Sequence, residues 1–594
     1  MIPSSANELL LATDTAFSIT NSLMLSSASS QYLSRTYTSS ATWTLSVWVK
    51  RSFLTVTSPI LDSIVRFNSA DTFTAVGLTT SALFRDPATF YHIVVNSNGL
   101  FINNVSFGSV TTSALTNLKI GYDGTNYGDE LLSDLYFIDG QTIAPTSFGA
   151  YDSTITTWWR PKAYSGTYGS AGYHLEFKSP SALGTDTSGN GNNWTTNNIT
   201  SANQCVDTPL NNYAVLNPLY TTRSTITGNN LVASGTTDLP TIIPTSGTWY
   251  FEIGGVSKTW TPPAAFPAAA GTYNFGAKTF SNTATYPTIC TQNLSTPSIP
   301  NASSAGMAVI GLGSAIESSL AAAAPFTDYL EIFKDRSSSQ SWRWRDTVQG
   351  TSYMLASNST AARSAYASPT SGDNYIGYRL KKDVANGIDI VQYTGTGSTR
   401  TVSHSLGVVP QLMLVKCTGT TGDWYVWYTT FSGLQYLCLD LTQAINSNTA
   451  TWGNATPTSS VISVGATLSQ SSATHIAYLF SAVPGFSKFG AFTGNGSTDG
   501  PFTDLGFKPR FMMFKRVDDV GDWAILDTVR NTFNIASSLL FPHLPDAEAT
   551  SGVVDFISNG FKIRASGGSF LNTSGATYLY MAFAESPFLY SNAR

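Results

Sequence analysis

Residues 393–424 and 492–523 carry one pattern twice. Tyr393-Thr-Gly-Thr-Gly-Ser-Thr, Leu406-Gly407, Pro410, Lys416 and Gly422-Asp423-Trp424 return as Phe492-Thr-Gly-Asn-Gly-Ser-Thr, Leu505-Gly506, Pro509, Lys515 and Gly521-Asp522-Trp523, all displaced by one constant number of positions. Ala473-Thr474-His475-Ile476 and Phe480 return as Ala576-Thr577-Tyr578-Leu579 and Phe583 at a slightly larger displacement, so a few residues are inserted between the blocks. A unit of about 100 residues used twice is a duplicated domain, because solenoid repeats run 20–50 residues. Each copy reads as a strand, a Gly-rich turn, a Leu-Gly…Pro corner, an apolar run ending in Lys, and Asp-Trp opening the next strand. Both copies are expected to be small antiparallel β-sandwiches.

The composition extends that expectation to the whole chain. Only 11% of residues are charged, but 12% are aromatic. A disordered chain lacks aromatic and β-branched residues, so the low charge signals β-sheet with uncharged polar loops. The net charge of −5 over 594 residues and the lack of long Lys/Arg runs exclude an electrostatic footprint for nucleic acid. No stretch of 18 apolar residues occurs, so no membrane insertion is expected. The start lacks the basic and apolar regions of a secretory leader, which points to folding in a cytosol. Four cysteines without CxxC spacing (Cys205, Cys290, Cys417, Cys438) read as buried thiols, with Cys417 and Cys438 candidates for neighbouring strands.

The expected organisation is a sandwich over 1–178, a polar connector over 179–220, a second sandwich over 221–387, and the repeats over 388–487 and 488–594. In the first region Trp43, Leu45, Val47 and Val49 alternate with Thr44, Ser46, Trp48 and Lys50. Ser97-Asn98-Gly99 marks a hairpin between two apolar runs. In the third region Trp249, Phe251 and Ile253 alternate with Thr248, Tyr250 and Glu252, and Ser319–Pro325 reads as a short helix ended by its proline.

Three resemblances follow. Tyr32-Leu33-Ser34, Trp43 to Val49, Tyr91 to Val95, Phe101 to Asn104 and Leu135 to Ile138 resemble the laminin-G / concanavalin A-like sandwich, a family whose sheet and rim loops often bind glycans, sometimes with calcium. Gly247 to Ile253 followed by Ile310-Gly-Leu-Gly313 resembles the SPRY-type binding sandwich. Ser188 to Asn192, Thr208 to Leu219, Phe492 to Phe511 and Ala584 to Arg594 resemble virion proteins of tailed, marine-type phages. His404-Ser-Leu and Val408-Val409 depart from that family's usual phrase.

Sites are sparse. GxSxG, HExxH, the Walker loop and metal-spaced Cys/His sets are all missing. The Gly494–Gly500 stretch reads as a tight turn, since its sister copy lacks the third glycine. The scattered histidines His92, His174, His404, His475 and His543 read as structural, and His475 aligns with Tyr578. Asp129-Glu130 and Asp518-Asp519 read as solvated loop charge, which leaves no placed pair for a glycosidase. Trp424 and Trp523 read as core residues, with ligand stacking as the other reading. The candidate carbohydrate site is Tyr122, Asp123, Asn126 and Tyr127, which mix aromatic faces with amide and carboxylate groups on a loop. Asp186, Asn190 and Asn192 are candidate Ca2+ ligands, against an Asx-turn loop closing on Trp194. No cofactor is otherwise implied.

The expected function is therefore non-enzymatic: a virion protein, tail fibre or receptor-binding component, displayed on the particle and attached to host-surface glycans. Its partners would be other virion proteins, a surface polysaccharide and further copies of itself, with a trimer the leading expectation. A capsid or tail decoration (head-fibre) protein is the alternative, and a polysaccharide depolymerase the third reading.

Overall fold

The computed structural model describes residues 17–152, 159–210 and 324–585, apart from 369–373 and 568–570, and within 211–323 it describes short stretches only. The short helix expected over Ser319–Pro325, most of the 257–306 insertion and the closing motif beyond Glu585 lie largely outside them. The fold is all-β, made of antiparallel sheets, and the described residues hold a single turn-length α-helix, Thr449–Trp452. No helix among them is long and apolar enough to cross a membrane. Contacts divide the chain into two units, Met1–Pro297 with Ile557–Asn559 and Tyr590–Arg594, and Ser298–Phe556 with Gly560–Leu589. The strands of 221–387 divide between them, those up to Gly271–Asn274 in the first unit and those from Met307–Leu312 in the second.

The first unit contains a sandwich of an eight-stranded and a seven-stranded sheet. At the centre of the larger sheet lies Trp43–Arg51, between Phe90–Asn96 and Glu130–Asp139. Its alternation is as the sequence predicts, yet all nine residues are buried. The polar face is covered too. Trp48 stacks on His92 at 4.6 Å, and Trp159 donates its indole N–H to His92 Nδ1 at 2.9 Å. Lys50 is buried against Asp207 and Asn212, both at 2.8 Å, so the region expected as a connector packs on this sheet. It also supplies two strands, Thr195–Asn197 beside Tyr32–Ser34 and Gln204–Cys205 beside Ser22–Met24.

The second unit is built on three sheets of one topology. In residues 388–480 the order is Ile388–Thr394, Thr474–Phe480, Leu412–Cys417, Trp424–Tyr428, extended by two short strands. In 487–584 it is Ser487–Thr493, Thr577–Ala584, Pro509–Arg516, Trp523–Asp527. Residues 307–381 repeat it a third time, with Met307–Leu312, Tyr375–Lys381, Tyr329–Asp335 and Arg343–Asp346. The duplication is thus a triplication, and we call these segments the first (307–381), second (388–480) and third (487–584) modules. Lys334 and Trp342 of the first module stand at the same spacing as Lys416 and Trp424, or Lys515 and Trp523.

The modules close on one another in a ring. Each of these tryptophans is buried and donates its indole N–H to a carbonyl of the module before it in the ring: Trp342 to Phe541 O, Trp424 to Ala356 O and Trp523 to Cys438 O, each at 2.9 Å. A buried donor left unpaired is costly, so these bonds fix the order of the modules as well as their packing. Tyr478 of the second module donates to Asp346 of the first, and Tyr378 of the first to Asp527 of the third, both at 2.9 Å. Between the sheets lies one apolar core, where Ile332, Leu414, Phe480, Met513 and Met581 meet. The third module uses both faces of its sheet. Phe511, Met513 and Ile525 point into the common core, while Met512, Phe514 and Leu526 pack on a second four-stranded sheet.

Candidate functional site

The candidate loop stands on the seven-stranded sheet of the first unit. Strand Lys119–Ile120 pairs with Tyr32–Ser34, Ile120 opposite Leu33 and Lys119 opposite Ser34. Ile120 and Leu33 are buried, so alternation turns Tyr32, Ser34 and Lys119 to the outer face. Gly121 then takes φ +83°, a left-handed bend that favours glycine, and a Cβ there would crowd the Leu25 side chain. Tyr122 and Tyr127 face each other across an antiparallel bridge, with rings stacked at 4.3 Å and 20°.

Asp123 folds the tip. Its Oδ1 accepts from Thr125 N at 2.9 Å and Asn126 N at 2.6 Å, and its Oδ2 from Asn126 Nδ2 at 2.9 Å, with Arg66 at 3.6 Å. Burial raises this carboxyl, but the bonds from Asn126 and Thr125 outweigh it and hold it below its usual value. Asp123 and Asn126 are therefore spent on the loop itself, and the tyrosines are what it presents. The sequence did not single out two further members. Tyr32 lies 5.2 Å from Tyr122 and 6.1 Å from Tyr127, and the Lys119 ammonium sits 4.6 Å above the Tyr122 ring. The result is a half-buried platform of three phenols and one ammonium. Partial desolvation and the Tyr127 ring push the Tyr122 phenol upward, and its neutral hydroxyl donates to Gly124 O at 2.8 Å, leaving its ring face to a ligand. Ring faces beside hydroxyl donors suit a ligand with a C–H face and hydroxyl edges.

Asp186, Asn190 and Asn192 lie together on one loop, each engaged with the chain. Asp186 accepts from His174 N, Ser188 N, Ser188 Oγ and Asn192 N at 2.8–2.9 Å. Burial raises it, and those four donors outweigh that and lower it. Asn190 Nδ2 donates to Gly169 O and Gly172 O, Asn192 Nδ2 to Ser170 O and Gly172 O, and Asn192 Oδ1 accepts from Arg35. The loop closes on Trp194, whose N donates to Gly184 O at 2.8 Å.

Other expectations sort by burial. Trp424 and Trp523 are core residues. Asp518 and Asp519 pair with Arg516 on the surface, at 3.1 and 3.5 Å. Asp129-Glu130 is a correction: both are buried, because Glu130 opens the strand Glu130–Asp139 instead of lying in a loop. Desolvation pushes Glu130 up to about 8, with Ser58 donating to it. Cys417 and Cys438 are buried free thiols, but Trp424–Tyr428 lies between their strands, so they are not on neighbours. His475 is buried and stacks on Tyr393 at 5.1 Å and 10°, as Tyr578 stacks on Phe492 at 5.2 Å and 14°.

A family model described as "Domain of unknown function (DUF7483)" matches residues 364–587. The match opens at strand Ser364–Ala365 of the first module and covers the second and third modules entirely. No curated protein and no solved structure matches the chain.

Proposed function

We propose that this chain is a virion protein of a tailed phage, a tail-fibre or receptor-binding component that attaches to host-surface glycans through the Tyr32–Tyr122–Tyr127 platform. The observation that carries the reading is that platform: three tyrosine rings and Lys119 gathered on the outer face of a sandwich sheet. The resemblance of the first region to laminin-G-like sandwiches, of 221–387 to SPRY-type sandwiches, and of the connector and repeats to phage virion proteins supplies the setting. Attachment works by binding, without turnover. Each contact is weak, and several copies in an oligomer, a trimer foremost, raise the local concentration until release becomes rare.

The test has two parts. Immunogold labelling or asymmetric cryo-EM of virions places the protein, and density over the head instead of the tail would leave decoration as its role. Glycan arrays with the full chain are then compared with Tyr122→Ala and Tyr127→Ala. Each substitution is expected to weaken binding about tenfold, or 1.4 kcal/mol. Unchanged binding by both variants would remove the platform from the function.

A further inference from the structure

The second module carries a cluster for which the third, folded on the same pattern, has no counterpart. Cys417 closes the strand Leu412–Cys417, and His475 lies opposite it on the ladder. The imidazole is fully buried, and its Nδ1 lies 3.0 Å from Ala473 O. A carbonyl only accepts, so Nδ1 carries the proton and Nε2 is left as a bare acceptor. Nε2 has no conventional hydrogen-bond partner among the described residues, and the register sets the His475 side chain on the same face of the sheet as Cys417. Around Sγ stand Thr420 Oγ1 at 3.3 Å, Gln470 Oε1 at 3.5 Å and Thr474 O at 3.6 Å. The Thr420 hydroxyl donates to the same Gln470 Oε1 at 2.6 Å.

A nucleophile, a base oriented by a second bond, and a carboxamide whose oxygen accepts from both the Cys417 thiol and the Thr420 hydroxyl are thus gathered in one place. Burial pushes the thiol up, but the neighbouring His475 and Thr420 side chains outweigh it and bring it down to about 6. In the third module the corresponding residues are Arg516, Asp519, Thr573 and Tyr578, so the scaffold needs none of the four. The stacking of His475 on Tyr393 is reproduced there by a phenol and does not explain an imidazole.

We propose that Cys417 and Gln470 join in an internal thioester, formed by this cluster without outside help. The thiol proton passes to His475 Nε2, and Sγ attacks the carboxamide carbon of Gln470. The carbonyl electron pair moves onto Oε1, where the Thr420 hydroxyl holds it. On collapse the C–N bond breaks, the nitrogen takes the proton back from His475, and ammonia leaves. One S–C bond replaces one C–N bond, nothing is oxidised or reduced, and no cofactor takes part. Escape of ammonia draws the reaction forward, and the exposed Thr420 beside the half-buried Gln470 leaves a way out for it. The thioester is an acyl donor for amines, so on a host surface it transfers the Gln470 acyl group to an amine and frees the thiol. That last use rests on the attachment reading; the thioester itself does not.

The test is intact-mass spectrometry of the full chain, purified without added thiols or amines. The expected mass is lower than the sequence mass by one ammonia. Methylamine should convert it to an adduct mapped to Gln470, while Cys417 becomes open to iodoacetamide. Cys417→Ala and Gln470→Ala should both abolish the deficit, with far-UV circular dichroism confirming their fold. His475→Tyr, which installs the third module's residue, should slow its appearance. Glutamate at position 470 of the native chain, but not of Cys417→Ala, would be the hydrolysed thioester and also supports the proposal. A full-mass chain with intact Gln470 and stoichiometric alkylation of Cys417 overturns it. A mass deficit with no attachment to amine-bearing surfaces would keep the thioester and overturn its use on the host, leaving glycan attachment to the array test.

Discussion

The second and third modules share four strands in one order, the Lys–Trp spacing and the bond from tryptophan to the module before it, yet they differ sharply in three places. Where the third buries Phe507, the second exposes Val408. Where the second aims Tyr478 at Asp346, the third has Met581 in the common core. Where the third pairs Arg516 with Asp518 and Asp519, the second sets Cys417 among His475, Thr420 and Gln470. The common features are buried and link one module to the next. Two of the differences fall at a turn and a strand end, while Tyr478 lies in mid-strand and adds a bond between modules.

The largest expected effect tests the common part. Trp424→Ala and Trp523→Ala should each destabilise the chain by about 3–5 kcal/mol, read from guanidinium unfolding. Near-equal losses would support a ring of equivalent modules; a loss in only one would break the equivalence. Next comes the Leu-Gly…Pro corner. Phe507→Ala should cost about 3 kcal/mol, whereas Val408→Ala in the same place should stay within about 0.5 kcal/mol. Equal costs would mean that the two corners pack alike. A smaller loss, about 1 kcal/mol, is expected for Tyr478→Phe, since Asp346 keeps its bonds from Val348, Gln349 N and Gln349 Nε2.

The thiol gives a pH-dependent contrast. In Gln470→Ala, where no thioester can form, the rate of Cys417 alkylation should rise with a midpoint near the folded value of about 6. Adding His475→Tyr should move that midpoint toward the ordinary thiol value of about 8.5. The folded value lies below the unfolded one, so the thiolate's stabilisation is present above about pH 8.5 and is lost as pH falls through 6. In the Gln470→Ala background, replacing Cys417 by Ser should flatten stability across that window, and an unchanged slope would remove the thiolate from the account. A small effect is also expected at the third module's surface pair, where Asp518→Asn should cost under about 0.5 kcal/mol and less in high salt.

How far the fold was legible depends on where each signal resides. The duplication could be read because Gly397 and Gly496, Pro410 and Pro509, and Trp424 and Trp523 each serve a local demand of turn, corner or core. The first module hid because it keeps the strands, Lys334 and Trp342, but has Gln340-Ser341 where the others have Gly-Asp before the tryptophan. Glu130 was read as solvated from its neighbours, and only the strand pairing of Glu130–Asp139 with Trp43–Arg51 shows it buried. Of the candidate platform, Tyr122 and Tyr127 were visible as a loop motif, while Tyr32, some ninety residues away, joins only through sheet register.

The sequence by itself determined that this chain is all-β, that a unit is reused, and that its tryptophans belong in cores. Those outcomes follow from alternation, turn chemistry and side-chain hydrophobicity, which act within a few residues of their source. Tertiary structure decided that the unit occurs three times around one core, that Lys50 is buried against Asp207, and that Cys417, Thr420, Gln470 and His475 meet. Each of these depends on which strands become neighbours, a choice made by the free energy of the whole packed ring, which no local stretch encodes.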